Sequence, residues 1–250
     1  MRYRPVIVTI VGLITTLLLI GFANIDNDRR VCNRVMVSID NQLHNHFIDD
    51  TDVLNLLTNG STEVVEGAAF ADLNIRTLEN RVKANDYVRE AEIFRDLKGN
   101  LLVKVVLRRP VARVIQPDGP DAYIAGDGTI LPVSDKFSAR VLLVSGAVAR
   151  DIAGLGNIKA SDHRQLFALI NFINADKFWR AQITQVDVQP DGEIKLLPQV
   201  TKQYIEFGDL QDMKNKFARL KIFYTKILPR KGWNSYSRVS VKYKNQIICE

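Results

Sequence analysis

An uncharged apolar stretch near the start of the chain constrains this sequence more than any other feature. No residue from Pro5 to Ile25 carries a formal charge, and the segment "VIVTIVGLITTLLLIGFA" occupies positions 6–23. About 20 helical residues are needed to cross a hydrocarbon core of about 30 Å. The stretch therefore predicts a transmembrane helix. The residues expected inside the span include Val6, Leu13, Leu19 and Ala23.

Two other interpretations of this stretch remain open. A cleaved secretory signal has an apolar region of about 7 to 15 residues, which is shorter than this one, although Gly21 and Ala23 supply small residues at cleavage-like spacing. A buried core helix normally has a polar face, whereas here only threonines interrupt the apolar surface. An uncleaved anchor is favoured over both.

The charges on either side of the stretch predict its orientation. Arg2 and Arg4 precede it, and Asp26 and Asp28 follow it. Because positive residues stay on the cytoplasmic side, residues 1–28 are predicted to be a cytoplasmic tail and membrane helix. The rest of the chain is then expected on the opposite side of the membrane.

Basic residues are concentrated near the C-terminus. Of the 34 lysines and arginines, ten lie between Asp212 and Glu250, and no acidic residue lies between those two positions. The other 24 basic residues are set against 28 acidic ones. Beyond a membrane anchor, such a block favours an acidic partner, anionic lipid or cell-wall polymer over nucleic acid, with a solvated face as the alternative.

The two cysteines, Cys32 and Cys249, stand far apart in the sequence. Export would permit a disulfide, and the sequence alone does not decide whether the thiols meet. Two small buried side chains are the favoured interpretation.

Residues 29–115 are predicted to form a first domain. Alternating apolar residues in "RRVCNRVMVSID" indicate a strand, and "DDTDVLNLLTNG" and "DLNIRTLENRVKAN" have the apolar spacing and end signals of two short helices. The runs "YVREAEIF" and "LLVKVVLRRPVARV" flank the turn "LKGN", which indicates a hairpin. The predicted order is strand, helix, helix, strand, strand. The turn-rich "QPDGPDA" then marks the domain boundary.

Residues 116–250 are predicted to form a mainly antiparallel β domain with two helices, so the fold class of the chain is α+β. Turns at Gly-Asp-Gly and Asp-Gly join strands, and helices are expected to begin at Ser161 and Asp209. In the final "YSRVSVKYKNQIIC", alternation of Val239, Val241 and Tyr243 predicts a strand at or near a sheet edge.

No pattern in the sequence indicates catalysis, a cofactor or a metal. His44 and His46 lie two residues apart, but no further ligands stand at metal-binding spacing. The stretch "GDGT" lacks the length and the lysine of a phosphate-binding loop, and the motifs GxSxG and HExxH are absent. These observations favour a protein that is not an enzyme, although groups brought together only in space would escape this argument.

The order of elements and several short motifs resemble the FtsQ/DivIB family of bacterial cell-division proteins over nearly the whole chain. "YIAGDGTILPVS" is similar to the hairpin that opens that family's β domain, and "SRVSVKYKNQIIC" resembles its final "DlRY" motif. In the latter, Ser240 replaces the acid, Lys242 replaces the arginine, and Tyr243 is retained. Leu107 stands where the family usually has Glu, so the role of that Glu cannot be transferred. The POTRA-like positions are Val88, Ala91, Ile93, Pro110, Val111 and Ala112.

The resemblance implies a POTRA domain over 29–115 and an FtsQ-type β domain over 116–250. It also implies a divisome scaffold in the inner membrane, with its bulk in the periplasm and concentrated at the septum, that binds FtsB/FtsL-like single-span proteins. No nucleic acid or small-molecule substrate is implied. In the family a partner strand completes the late β strand, so the expected partner-binding residues are Val239, Val241, Lys242, Tyr243, Asn245 and Ile247.

Replacement of the family's arginine by Lys242 keeps the charge but loses the planar fork that binds a carboxylate through two hydrogen bonds, so backbone pairing is expected to dominate the contact.

Two alternatives come from other classes of protein. A POTRA-containing export or assembly factor would be expected to have a β-barrel or repeated POTRA units, which this sequence does not contain. A membrane-tethered exported enzyme would need catalytic groups converging in a pocket.

Overall fold

The computed structural model of the protein describes residues 12–16, 30–40 and 45–250. Residues 12–16 are helical, and Leu13 is 66% exposed. The other predicted span residues, Val6, Leu19 and Ala23, lie outside the described residues. In the part of the chain that is described, no helix has both the length and the apolar character needed to cross a bilayer.

The first compact unit ends at Leu107 and contains a three-stranded sheet. Its central strand pairs in parallel with the first strand and antiparallel with the second, giving the order β1-β3-β2. Two helices follow β1 in the sequence, as predicted. The elements are β1 (Val35–Asp40), α1 (Asp50–Leu57), α2 (Ile75–Lys83), β2 (Val88–Arg95) and β3 (Leu101–Leu107).

Apolar side chains of both helices and of the sheet form the core of this unit. Val53 and Leu57 of α1 and Val82 of α2 are buried in the same cluster as the alternate residues of β3. Helix α1 is capped by Asp49, because Asp49 and Asp52 form a capping box in which each carboxylate accepts from the other residue's backbone N–H at 2.9 Å.

The second unit begins at Arg108 and contains a nine-stranded sheet in the order β12-β11-β10-β9-β8-β7-β4-β5-β6. Three neighbouring pairs, β4–β7, β7–β8 and β10–β11, are parallel, and the other five are antiparallel. The strands are β4 (Pro110–Val114), β5 (Ala122–Ala125), β6 (Ile130–Pro132), β7 (Leu142–Gly146), β8 (Ile183–Val188), β9 (Ile194–Pro198), β10 (Tyr204–Gly208), β11 (Arg238–Ser240) and β12 (Ile248–Cys249).

This division of the chain lies eight residues before the predicted boundary at 115/116. Residues Pro110–Val114 form β4, which pairs antiparallel with β5 and parallel with β7. Three of the positions assigned to the POTRA-like part, Pro110, Val111 and Ala112, therefore belong to the second sheet. The turn-rich stretch 116–121 joins β4 and β5 of the second unit, since Gly, Pro and Asp also form the turns between paired strands.

The second unit has more helical segments than the two predicted. The two long helices correspond to the predicted ones, but each starts three or four residues after its expected cap. Buried side chains of both, including Ile170 and Phe217, pack in the core with Trp179. The helices are α3 (Ala149–Ala153), α4 (Arg164–Ala175), α5 (Lys177–Gln182), α6 (Met213–Ile222), which continues through a π-helical turn (Phe223–Ile227), and α7 (Leu228–Lys231).

Candidate partner-binding surface

The last two strands of the second unit form one end of its sheet. β11 lies parallel to β10, and β12 runs antiparallel to β11 and is the final strand in the order. The single strand predicted over this region is thus divided in two. β11 ends at Ser240, the chain turns at Lys244 and Asn245, and β12 returns alongside β11.

An arginine from α6 explains where the strand ends. Arg219 donates from Nη1 to the carbonyl oxygen of Tyr243 at 2.7 Å and from Nη2 to that of Val241 at 2.8 Å. These carbonyls are thereby bound to a side chain instead of to a neighbouring strand. Asn245 then has a φ of 60°, a left-handed conformation that asparagine tolerates better than most residues.

The register of β12 places one residue's backbone at the open edge of the sheet. Arg238 and Glu250 exchange two backbone hydrogen bonds, both of 3.0 Å. Because bonded and non-bonded pairs alternate in an antiparallel ladder, the N–H and C=O of Cys249 point away from β11. Among the described residues no strand lies beyond β12. Cys249 therefore presents a donor and an acceptor to any strand that adds there.

Two of the predicted partner-binding residues lie in the core. Val239 and Val241 are fully buried. The backbone N–H of Val241 donates to the carbonyl of Glu206 in β10 at 3.0 Å, so this donor already serves the sheet. The side chains of both residues therefore pack in the core of the unit.

Lys242 lies at the surface but is engaged within the unit. Its ammonium group forms an ion pair with the Glu193 carboxylate, and this hydrogen bond raises the pKa of Lys242. Its aliphatic stem covers Gly208, where a Cβ atom would lie only 2.8 Å from Lys242 Cγ. A partner that binds Lys242 must therefore compete with Glu193.

The remaining predicted residues lie around the turn. Tyr243 is 51% exposed, Asn245 is exposed, and Ile247 is half-buried against the core of the unit. The structure thus brings Lys242, Tyr243, Asn245 and Ile247 next to the open edge. Sequence patterns did not indicate a role for Cys249 or Arg219, although the turn-forming Asn245 was a signal that the strand would reverse.

Several cations of the acid-free segment are paired inside the unit. Arg238 binds Glu250 and also Glu206, at 3.1 Å, and these carboxylates raise the pKa of Arg238. Lys216 Nζ lies 2.5 Å from Asp209 Oδ1, and this hydrogen bond lowers the pKa of Asp209. The exposed cations of this segment for which the described residues show no ion pair are Lys214, Lys221, Lys226, Arg230, Lys231 and Lys244.

The structure gives no sign of metal chemistry in the residues that it describes, where no group of three or more His, Cys, Asp or Glu side chains is placed to hold an ion. Both thiols are free. Cys32 is fully buried in the first unit and Cys249 is half-buried, and burial raises the pKa of each.

Comparison with known families assigns both units. Residues 30–106 match the POTRA-like domain, and residues 109–250 match the family described as FtsQ/DivIB, C-terminal related. A POTRA-like unit followed by an FtsQ/DivIB-related domain suggests a scaffold of the cell-division type. Because the second match covers more than half of the chain, the protein belongs to the FtsQ/DivIB family, as a divergent member. The comparison with curated proteins gives no match.

Proposed function

We propose that this protein is a non-enzymatic scaffold of the divisome that binds FtsB/FtsL-like single-span partners at the open edge of β12. It is anchored in the inner membrane by one span, has its bulk in the periplasm and acts at the septum. Membership of the FtsQ/DivIB family supports a role in cell division. The outward-facing backbone of Cys249 is the observation that supports partner binding by strand addition.

Strand addition suits this edge for a physical reason. An unpaired edge offers main-chain donors and acceptors, and an incoming strand gains affinity from them while side-chain pockets supply specificity. β12 is only two residues long, so contacts from neighbouring side chains must contribute as well. Tyr243 is the large exposed side chain beside it.

Charge adds a secondary contribution in this proposal. The exposed lysines and arginines of α6, α7 and the turn attract an acidic partner over a distance of about 8 to 10 Å at ordinary salt. Because the Glu193 carboxylate already neutralises Lys242, these exposed cations steer the partner and the backbone holds it.

The test compares two substitutions of Cys249 that both remove the thiol and of which only one removes the outward-facing donor. Cys249→Pro deletes the N–H that points away from β11, whereas Cys249→Ala deletes the thiol and keeps the donor. A photoreactive amino acid replaces Tyr243 in the full chain in growing cells, and a second, at the exposed Lys83, serves as a control for position.

We expect capture of small single-span coiled-coil proteins from Tyr243 in the Cys249→Ala chain, loss of that capture in the Cys249→Pro chain, and none from Lys83. Equal capture in both chains would contradict strand addition. An even distribution over the envelope without capture would contradict the division role. Val241→Pro is not a useful test, because it breaks a hydrogen bond within the sheet.

A further inference from the structure

A second surface of the β domain lies apart from the C-terminal strands. It is a groove of about 930 Å³ at the N-terminal ends of the neighbouring strands β4, β7 and β8. β4, β7 and β8 are parallel neighbours, so their first residues, Pro110, Leu142 and Ile183, lie at the same end of the three strands and line it. Gln199, just after β9, also lines it, since β9 runs antiparallel to β8.

The groove is strongly basic. Four arginines line it, namely Arg109, Arg113, Arg140 and Arg180, and its described lining includes no Asp or Glu. Arg113 is neutralised, because its Nη2 lies 2.7 Å from Asp121 Oδ2. Arg109, Arg140 and Arg180 are exposed, and within the described part of the chain no hydrogen bond or ion pair engages these three side chains.

The floor of the groove is mainly apolar. Val111, Leu143 and Ile173 contribute to it, beside the carboxamides of Asn171 and Asn174. Asn174 Nδ2 donates to the carbonyl of Val111 at 3.0 Å, which fixes that side chain. The last turn of α4 adds a partial negative charge of about half an elementary unit, less than the three free guanidinium groups supply. The volume falls in the range of about 300 to 1,000 Å³ typical of ligand sites.

We propose that this groove binds an extended acidic peptide segment of a partner protein. Its carboxylates bind the guanidinium groups of Arg109, Arg140 and Arg180, which present paired donors in the geometry that a carboxylate accepts. Its apolar side chains cover the floor. A free phosphate would satisfy the arginines and leave the floor exposed, so the lining favours a peptide.

The groove is separate from the edge at β12. Neighbouring strands lie about 4.8 Å apart, so β12 is about 19 Å from β8 and about 29 Å from β4 along the sheet. This inference therefore goes beyond the proposed function, and either one can fail without the other.

The test measures binding of a defined acidic peptide to the full chain in mild detergent. The probe is a fluorescein-labelled octapeptide that alternates Glu with Leu or Ala, and its partner probe has Gln in place of every Glu. Arg140→Gln/Arg180→Gln removes two free cations of the groove. Arg150→Gln/Arg164→Gln is the matched control, because both arginines are exposed in the same unit and neither lines the groove.

We expect fluorescence anisotropy to show that the acidic peptide binds at least about tenfold more weakly to the groove variant, while the control variant binds like the unaltered chain. The Gln peptide should not bind. Arg140→Lys/Arg180→Lys, which keeps the charge and loses the fork, should give an intermediate affinity. An unchanged tryptophan emission spectrum will show that the variants are folded.

Three results would overturn the proposal. The first is equal affinity of the groove and control variants for the acidic peptide. The second is displacement of the peptide by equimolar inorganic tripolyphosphate or by phosphatidylglycerol vesicles, which would identify a phosphate site. The third is a loss of peptide binding on Cys249→Pro, which would place the peptide at the sheet edge.

Discussion

The region of the C-terminal strands and the groove lined by four arginines are both basic parts of one β domain. They differ in how many of their cations are bound within the unit. At the C-terminal strands, Lys216, Arg219, Arg238 and Lys242 each bind a carboxylate or a carbonyl of the same unit. In the groove, only Arg113 is paired, and Arg109, Arg140 and Arg180 are exposed.

The difference shows that not every cation of a basic segment is available to a partner. In the acid-free segment four of the ten cations bind groups of the same unit, and the other six stay exposed. The groove draws its arginines from positions 109 to 180, which also contain seven aspartates. Substitution of the paired cations should therefore lower the stability of the β domain, whereas substitution of the free groove arginines should leave it unchanged.

The largest effect is expected from Arg219→Met, which leaves the carbonyls of Val241 and Tyr243 without their donor. Two hydrogen bonds from a charged group should lower the free energy of unfolding of the β domain by about 3 kcal/mol. Urea unfolding of the full chain followed by tryptophan fluorescence measures this unit alone, because the two tryptophans, Trp179 and Trp233, both belong to it. Lys214→Met, on the exposed side of the same helix, should change it by less than about 0.5 kcal/mol, and equal effects would contradict the role of Arg219.

A smaller effect is expected from Gly208→Ala. Gly208 has a φ of 75° and no room for a Cβ beside Lys242, so the substitution should cost about 2 kcal/mol by the same measurement. Gly192→Ala is the matched control, because Gly192 has a φ of 83° and a Cβ atom there would meet no other atom within 4 Å. This control substitution should lower the free energy of unfolding by about 1 kcal/mol. Equal costs would mean that the stem of Lys242 moves aside freely.

The smallest effect is expected from Arg140→Gln/Arg180→Gln. Exposed cations without partners contribute little to folding, so the free energy of unfolding should stay within about 0.5 kcal/mol of the unaltered chain. A slight rise in the free energy of unfolding would agree with the loss of repulsion between these like charges. A loss of more than about 1 kcal/mol would show that these arginines hold the fold, and the contrast between the two regions would disappear.

Local patterns predicted the first unit well because its elements are regular. Apolar residues of α2 recur at helical spacing, and the β2–β3 hairpin turns at Gly99, whose φ of 83° requires a glycine-like conformation. In the second unit, α3, α5 and α7 are too short to show a helical period. The boundary was misplaced because the sequence of β4 gives no indication of which sheet it joins.

The candidate surfaces could be predicted only in part. Alternation of Val239, Val241 and Tyr243 correctly indicated a strand near an edge, but the strand stops because Arg219, from a helix about twenty residues earlier in the sequence, binds its carbonyls. Arg109 precedes β4, Arg140 precedes β7 and Arg180 lies in α5, just before β8. The parallel pairing of β4, β7 and β8 brings these positions to one groove. No local sequence signal reports such an assembly.

The order of the strands also bears on biogenesis. From β7 to β12 the spatial order in the sheet equals the order in the sequence, so each strand docks on the one synthesised just before it. Chains fold as they emerge from the ribosome, at about 5 to 20 residues per second. The edge at β12 can form only after β8 to β11 are in place. A nascent chain, or one truncated before Cys249, therefore lacks this edge. Under the proposed strand addition, only a completed β domain would bind a partner there.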